Sequence, residues 1–201
     1  MRLSRIRSVR TQDRGGKDLV RTALIGGVGN VLLGDDGVGP FVLSQLESRY
    51  TLDEDVELID LGTPALDLTH QIVGLRSLIL IDSIASDDPP GTVLLYRKDD
   101  ILRIAPAERL DPHSPALSEC LMIADMLGAS PEHVLLVGIV GESYEPGAPV
   151  SQRVKDAIDH SIEKILEELQ ALDYSFRVKT SPDAPNVWWA NDVREDSARC
   201  P

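Results

Sequence analysis

The sequence has few cysteines, few aromatic residues and no long apolar run. Cys120 and Cys200 are the only cysteines, which excludes a disulfide framework and a cysteine-rich metal site. Because aromatic residues make up 4% of the chain, the core must be aliphatic. The apolar runs fall well short of the ~20 residues that cross a bilayer, and the N-terminus lacks the apolar stretch of a signal peptide. These absences predict a cytoplasmic protein.

Positive charge is also scarce. There are 20 Lys and Arg residues against 33 Asp and Glu residues, which gives a net charge of −13. A surface of this sign repels phosphate backbones and anionic lipids, so we expect neither nucleic acid nor membrane as a partner. With 42% hydrophobic and 26% charged residues, the composition excludes a disordered chain and suits one domain of this length.

Both ends of the chain differ in composition from its middle. Residues 1–21 carry seven basic side chains with little apolar periodicity, which predicts a basic flexible leader. Residues 173–201 combine scattered Pro, Asp and Ser with Trp188 and Trp189, a composition that favours a flexible C-terminal tail. The globular domain is therefore predicted to span residues 22–172.

Within that domain, short apolar runs alternate with segments of helical periodicity. The runs predict five strands, at residues 22–26, 56–59, 77–82, 92–97 and 134–140. The periodic segments predict helices at residues 38–50, 63–74, 114–128 and 154–172. This alternation predicts an α/β fold with three layers: a mostly parallel, twisted five-stranded sheet with helices on both faces. Such sheets place their sites at the carboxyl ends of the strands.

Three possible metal ligands follow or lie near these predicted strand ends. Asp36 lies in the glycine-rich loop 26–39, and Asp82 ends a strand that is otherwise apolar. His113 directly precedes a predicted helix, between two prolines, and the positive end of that helix should keep its ring neutral. Two carboxylates and one imidazole form an open three-ligand set that suits a divalent metal ion.

The same residues allow other interpretations. Gly27 and Gly29 fit the opening of a dinucleotide-binding loop, although Leu32 replaces its third glycine and two carboxylates at the helix start would repel a pyrophosphate. Asp35 and Asp36 could instead cap that helix, and the acid that ends the third strand could cap a turn. The residues by themselves leave these alternatives open.

An ordered set of short motifs spans residues 22–171. The motifs are Gly27-Val28-Gly29-Asn30, Asp35-Asp36-Gly37, Ile81-Asp82-Ser83, Pro112-His113 and Gly138-Ile139-Val140-Gly141-Glu142-Ser143. In this order and spacing they resemble the nickel-iron hydrogenase maturation endopeptidases. The resemblance implies a peptidase that removes the C-terminal extension of the hydrogenase large-subunit precursor after nickel has been inserted.

The resemblance also implies roles for individual residues. The family's three metal-binding positions fall on Asp36, Asp82 and His113, and the metal is nickel, carried by the substrate precursor. The first position is often Glu in the family, so Asp36 is one methylene shorter, and Gly141 stands where relatives commonly have Pro. Asp36 or Asp82 would activate water, in an aspartic-type or metal-assisted hydrolysis.

No serine, cysteine or zinc protease signature is evident in the sequence, which disfavours those mechanisms. A second hypothesis, from a different class, is a non-catalytic, nickel-sensing docking chaperone that binds the precursor with the same three ligands. A small protein that acts on a large folded partner needs no second copy, so we expect a monomer.

Overall fold

The computed structural model describes residues 9–12, 18–103, 114–187 and 189. In this part of the chain the strands are β1 (Val9–Gln12), β2 (Asp18–Arg21), β3 (Ala23–Val28), β4 (Tyr50–Leu52), β5 (Val56–Gly62), β6 (Ser77–Ile84), β7 (Val93–Arg97), β8 (His133–Val140) and β9 (Phe176–Val178). The helices are α1 (Val38–Arg49), α2 (Leu68–Ile72), α3 (Lys98–Arg103), α4 (Ser114–Met126), α5 (Gln152–Asp156) and α6 (Ile158–Ala171). Two 3₁₀ turns, Gly34–Gly37 and Ala65–Asp67, precede α1 and α2.

The central sheet has five strands in the order β5-β3-β6-β8-β7. β3 pairs in parallel with β5 and β6, and β6 pairs in parallel with β8. β7 is antiparallel to β8 and lies at the edge of the sheet. The predicted mostly parallel, five-stranded α/β fold is therefore confirmed. Because four strands point the same way, their carboxyl ends meet along one side of the sheet, called the carboxyl edge below.

Aliphatic side chains on both faces of the sheet form the core. On one face, Ile25, Ile79 and Val137 of the sheet pack with buried residues of α1, α5 and α6. On the other face, Leu78 and Leu136 pack with α2 and α4, where Cys120 is fully buried. All eight residues of β6 are buried, as expected of a central strand covered on both sides. Helices on both faces give the three predicted layers.

Two helical segments differ from the sequence-based prediction. The helix predicted over residues 63–74 consists of one 3₁₀ turn and the five residues of α2, because the chain becomes extended at Val73 and Gly74 has a positive φ of 82°. α3 occupies the start of the segment after β7 that carried no predicted helix. Of the described helices, none combines the length and the apolar character needed to cross a bilayer.

Short strands are present outside the predicted domain limits. β1 and β2 form an antiparallel pair within residues 1–21, and β9 pairs with β4 beyond residue 172. Arg21, counted with the basic leader, is buried and forms an ion pair of 2.7 Å with Glu57. Tyr174 is buried against the core that contains α6. The division of the chain at residues 21 and 172 stays a prediction.

Candidate functional site

The glycine-rich loop after β3 folds back tightly onto the carboxyl edge. Gly29 has a φ of 127°, and a Cβ atom there would overlap the Asp36 carbonyl oxygen. A Cβ atom on Gly39, in the first turn of α1, would overlap the carbonyl oxygens of Val28 and Ile81. These two positions require glycine, and their close contacts hold the loop and the start of α1 against the ends of β3 and β6.

Asp36 lies inside this loop and is only 5% exposed. Its Oδ2 atom accepts a hydrogen bond of 2.8 Å from the backbone N–H of Asn30. α1 begins at Val38 with Gly37 as its N-cap and without a side-chain capping bond, so capping of α1 is not the role of this carboxylate. The bond to Asn30 holds the Asp36 side chain toward the loop instead.

Asp35 is fully buried and joins two loops. Its Oδ2 atom accepts hydrogen bonds from the backbone N–H groups of Glu142 (2.8 Å) and Ser143 (3.0 Å), and its Oδ1 atom accepts one from Ser151 (2.6 Å). The Asp35 N–H donates in turn to the Ser143 carbonyl oxygen at 2.8 Å. The sequence marked Asp35 only as a possible helix cap. The structure assigns it to the attachment of the loop 141–151, which follows β8.

Asp82 lies near the carboxyl end of β6 and is 4% exposed. It is paired with Gly138 of β8 in the sheet register, and its Oδ1 atom accepts a hydrogen bond of 2.8 Å from the N–H of Ser83. The preceding residue, Ile81, contacts Gly39 through its carbonyl oxygen. The end of β6 and the loop that carries Asp36 are therefore packed against each other.

Tyr144 is a site residue that the sequence-based reasoning missed. Its hydroxyl shares a hydrogen bond of 2.9 Å with the Ser83 hydroxyl and donates a longer one, 3.4 Å, to the Ile84 carbonyl oxygen. A Cβ atom on Gly141 would overlap this hydroxyl, so the ring fits only because residue 141 is glycine. One feature of the sequence could have indicated this residue. Tyr144 directly follows the motif that ends at Ser143, and aromatic residues are rare in this chain.

The pKa of the Tyr144 hydroxyl is shifted by burial and by acidic residues. Burial raises the pKa of the Tyr144 hydroxyl, the hydrogen bond with Ser83 opposes this shift, and the negative charges of Asp35, Asp36 and Asp82 raise the pKa further. The negative charges of all three aspartates thus act on one hydroxyl, which agrees with the packing of the Asp36 loop against the end of β6. These negative charges therefore favour the neutral form of the Tyr144 hydroxyl.

Replacing Asp36 with asparagine is therefore expected to lower the pKa of Tyr144. The amide keeps an oxygen for the Asn30 N–H but removes a charge that opposes formation of the phenolate. An ultraviolet difference titration of D36N against wild type, with Y144F to assign the signal, measures the shift. D87N, which changes an exposed carboxylate, is the control. An unchanged Tyr144 pKa in D36N would show that the two groups do not interact.

The third predicted ligand, His113, lies outside the described residues. The helix that follows it, α4, packs beside the 3₁₀ turn after β5, where the Cys120 thiol is 3.6 Å from the Ala65 carbonyl oxygen. Among the residues that the structure describes, no group of three or more His, Cys, Asp and Glu side chains is arranged to hold a metal ion. The three-residue set of Asp36, Asp82 and His113 therefore stays a prediction.

Comparison with known proteins identifies the family to which these features belong. The family model for hydrogenase maturation proteases matches residues 40–168. The hydrogenase 2 maturation protease of Escherichia coli strain K12 is 32% identical over 73% of this chain and 90% of its own length. The hydrogenase expression/formation protein HupD of Bradyrhizobium diazoefficiens is 30% identical over 85% of this chain and 90% of its own length.

Solved structures agree with the sequence matches. The hydrogenase-maturating endopeptidase HybD from E. coli superposes with a TM-score of 0.72 at 29% identity, covering 78% of this chain and 97% of that one. The maturation protease HybD from Thermococcus kodakarensis gives a TM-score of 0.59 at 26% identity, covering 73% and 97% of the two chains. The glycine-rich loop, the buried aspartates and the mostly parallel sheet described above thus belong to a member of the hydrogenase maturation protease family.

Proposed function

We propose that this protein is an endopeptidase that removes the C-terminal extension of a nickel-iron hydrogenase large-subunit precursor after nickel insertion. In this proposal Asp36, Asp82 and His113 bind the nickel ion that the precursor carries. The observation that supports the proposal is that two buried carboxylates, 46 positions apart in the sequence, follow or end two neighbouring parallel strands in a member of this protease family.

The charge of the site supports recognition of a cation. Asp36 and Asp82 are both largely removed from water, and a third carboxylate, Asp35, lies beside them. Buried carboxylates are costly unless a counter-charge or hydrogen bonds offset the loss of hydration. A divalent ion brought by the substrate would supply that counter-charge, so a precursor without nickel would bind weakly. The metal would thereby act as the signal that insertion is complete.

The proposed hydrolysis uses the same carboxylates. Asp36 or Asp82 would accept a proton from a water molecule, and the resulting hydroxide would attack the carbonyl carbon of the scissile peptide bond. Backbone N–H groups would stabilise the oxyanion that forms. Collapse of the tetrahedral intermediate breaks the C–N bond, and the departing amine takes up the proton. The hydroxyl of Tyr144, which is hydrogen-bonded to the Ser83 hydroxyl, lies next to Asp82 in the chain's fold.

A processing assay tests the proposal directly. We expect a purified precursor that contains nickel to lose the mass of its C-terminal extension when it is incubated with the protein, whereas the nickel-free precursor keeps its full mass. Mass spectrometry of the intact precursor gives the result. Loaded precursor that binds but keeps its mass would favour the non-catalytic docking chaperone, and equal cleavage of both precursors would remove nickel from the recognition step.

A further inference from the structure

We infer that Tyr144 and Leu32 form an apolar rim beside the aspartate pair, and that this rim binds the precursor segment next to the scissile bond. The inference rests on the proposed function and extends it to substrate recognition. Leu32 is 62% exposed and Tyr144 is 43% exposed. Both side chains are therefore accessible to a partner, next to the loop that carries the buried Asp36.

Backbone contacts place the two side chains on neighbouring loops. The Leu32 carbonyl oxygen accepts a hydrogen bond of 2.8 Å from the Gly147 N–H, and the Asp35 N–H donates to the Ser143 carbonyl oxygen at 2.8 Å. Between these bonds, Gly34 approaches so closely that a Cβ atom there would lie 2.6 Å from the same Ser143 oxygen. Residues 32–35 and 143–147 therefore run side by side, one loop carrying Leu32 and the other Tyr144.

Tyr144 is held in place before any substrate arrives. Its hydroxyl is bonded to the Ser83 hydroxyl and the Ile84 carbonyl oxygen, and the loop on which it lies is anchored by the three hydrogen bonds to Asp35. A fixed aromatic ring loses little conformational entropy on binding and offers a large contact area. Such residues contribute most of the binding energy at many protein interfaces.

The residues next to the rim indicate which ligand the rim binds. Asp36 and Asp82 are buried carboxylates in the loop and the strand next to the rim, so positive charge near these carboxylates and apolar side chains against the rim would suit the ligand. In the proposed function, the nickel-bearing end of the precursor fits both requirements. A cation at these carboxylates would place the adjoining peptide across Leu32 and Tyr144, which would hold it extended for cleavage.

Gly141 leaves the space that the Tyr144 ring occupies. A Cβ atom at this position would lie 2.7 Å from the Tyr144 Cζ atom and would overlap the hydroxyl. Any side chain in its place would exclude the ring from its present position. The position of the Tyr144 ring, and with it the shape of the rim, thus depends on the glycine at residue 141.

Steady-state processing of the nickel-loaded precursor tests the inference. We expect Y144A and L32S to raise KM about tenfold each while kcat stays within about threefold of wild type, because a docking contact is present before and during the reaction. G141A should raise KM in the same way, since it displaces the ring without removing it. Y144F keeps the ring and is expected to fall between wild type and Y144A.

Controls separate docking from folding and from the proposed function. M126A changes a side chain that is 87% exposed at the C-terminal end of α4, and it should leave both constants unchanged. L32S alters an exposed loop side chain, so it tests docking even if Y144A has a lower melting temperature than wild type. Unchanged KM in both L32S and Y144A, or a loss confined to kcat, would overturn the inference. Failure of the wild-type protein to bind or cut loaded precursor would instead refute the proposed function.

Discussion

Replacement of Asp35 with alanine is expected to lower the free energy of unfolding by about 3 kcal/mol or more. The carboxylate accepts three backbone hydrogen bonds, from Glu142, Ser143 and Ser151, in a position without solvent exposure. Its removal leaves those N–H groups without their acceptor and opens a gap between the two loops. Urea denaturation followed by circular dichroism measures the loss, which corresponds to a melting temperature lower by about 6–12 °C.

Two further variants show whether the hydrogen bonds cause this effect. D35N preserves the size of the side chain, but both carboxylate oxygens accept from backbone N–H groups, so the amide would point its NH₂ group at a donor. We therefore expect D35N to be destabilised as well. D87A removes an exposed carboxylate and should change stability by less than about 0.5 kcal/mol. Stability equal to that of wild type in D35A would show that the loop 141–151 is held by other contacts.

Adjacent aspartates in the glycine-rich loop thus perform different tasks. Asp35 uses both of its oxygen atoms on the backbone of the loop 141–151, whereas Asp36 bonds to Asn30 within its own loop through Oδ2. The sequence marked both acids as possible caps of the following helix and Asp36 also as a possible metal ligand, whereas in the structure neither side chain caps α1. The backbone groups that Asp35 binds lie more than a hundred positions away in the sequence, and local sequence patterns carry no information about contacts at that separation.

The sheet was predictable because its signal is local and strong. The five apolar runs coincide with β3, β5, β6, β7 and β8, and the rule that sites lie at the carboxyl ends of parallel strands led to Asp36 and Asp82. β4 and β9 have three residues each, which is too short for a periodic pattern. The antiparallel direction of β7 depends on the path of the chain after β6, for which neither composition nor periodicity gives a signal.

The position of Tyr144 in the candidate site is a further feature that local sequence patterns could not predict. Its place beside Asp82 depends on a hydrogen bond to Ser83, on an absent Cβ atom at Gly141, and on a loop that Asp35 ties down. Each of these conditions joins parts of the chain that are distant in sequence. A sequence motif can therefore indicate which loops form the candidate site. The position of the Tyr144 side chain depends on how those loops pack, which the motif does not show.

Replacement of Asp82 with asparagine is expected to slow processing of the nickel-loaded precursor by at least about 100-fold. The amide has the shape of the carboxylate and retains an oxygen for the Ser83 N–H, so the end of β6 should keep its structure. The variant loses the negative charge that would bind the metal ion or accept a proton from water. Mass spectrometry of timed samples gives the rate, and a melting curve shows that the fold is retained.

Asp60 provides the matched control for this experiment. It also lies near the carboxyl end of a strand, β5, and its Oδ1 atom accepts a hydrogen bond of 3.0 Å from the nearby Gly62 N–H, yet its side chain is exposed. D60N therefore makes the same chemical change on an exposed side chain at the same edge of the sheet, and it should process precursor at the wild-type rate. If D82N and D60N were equally active, a charge at position 82 would be unnecessary, and neither metal binding nor water activation could be assigned to Asp82. Activity lost in D82N alone, with the melting curve unchanged, would tie the reaction to that single buried charge.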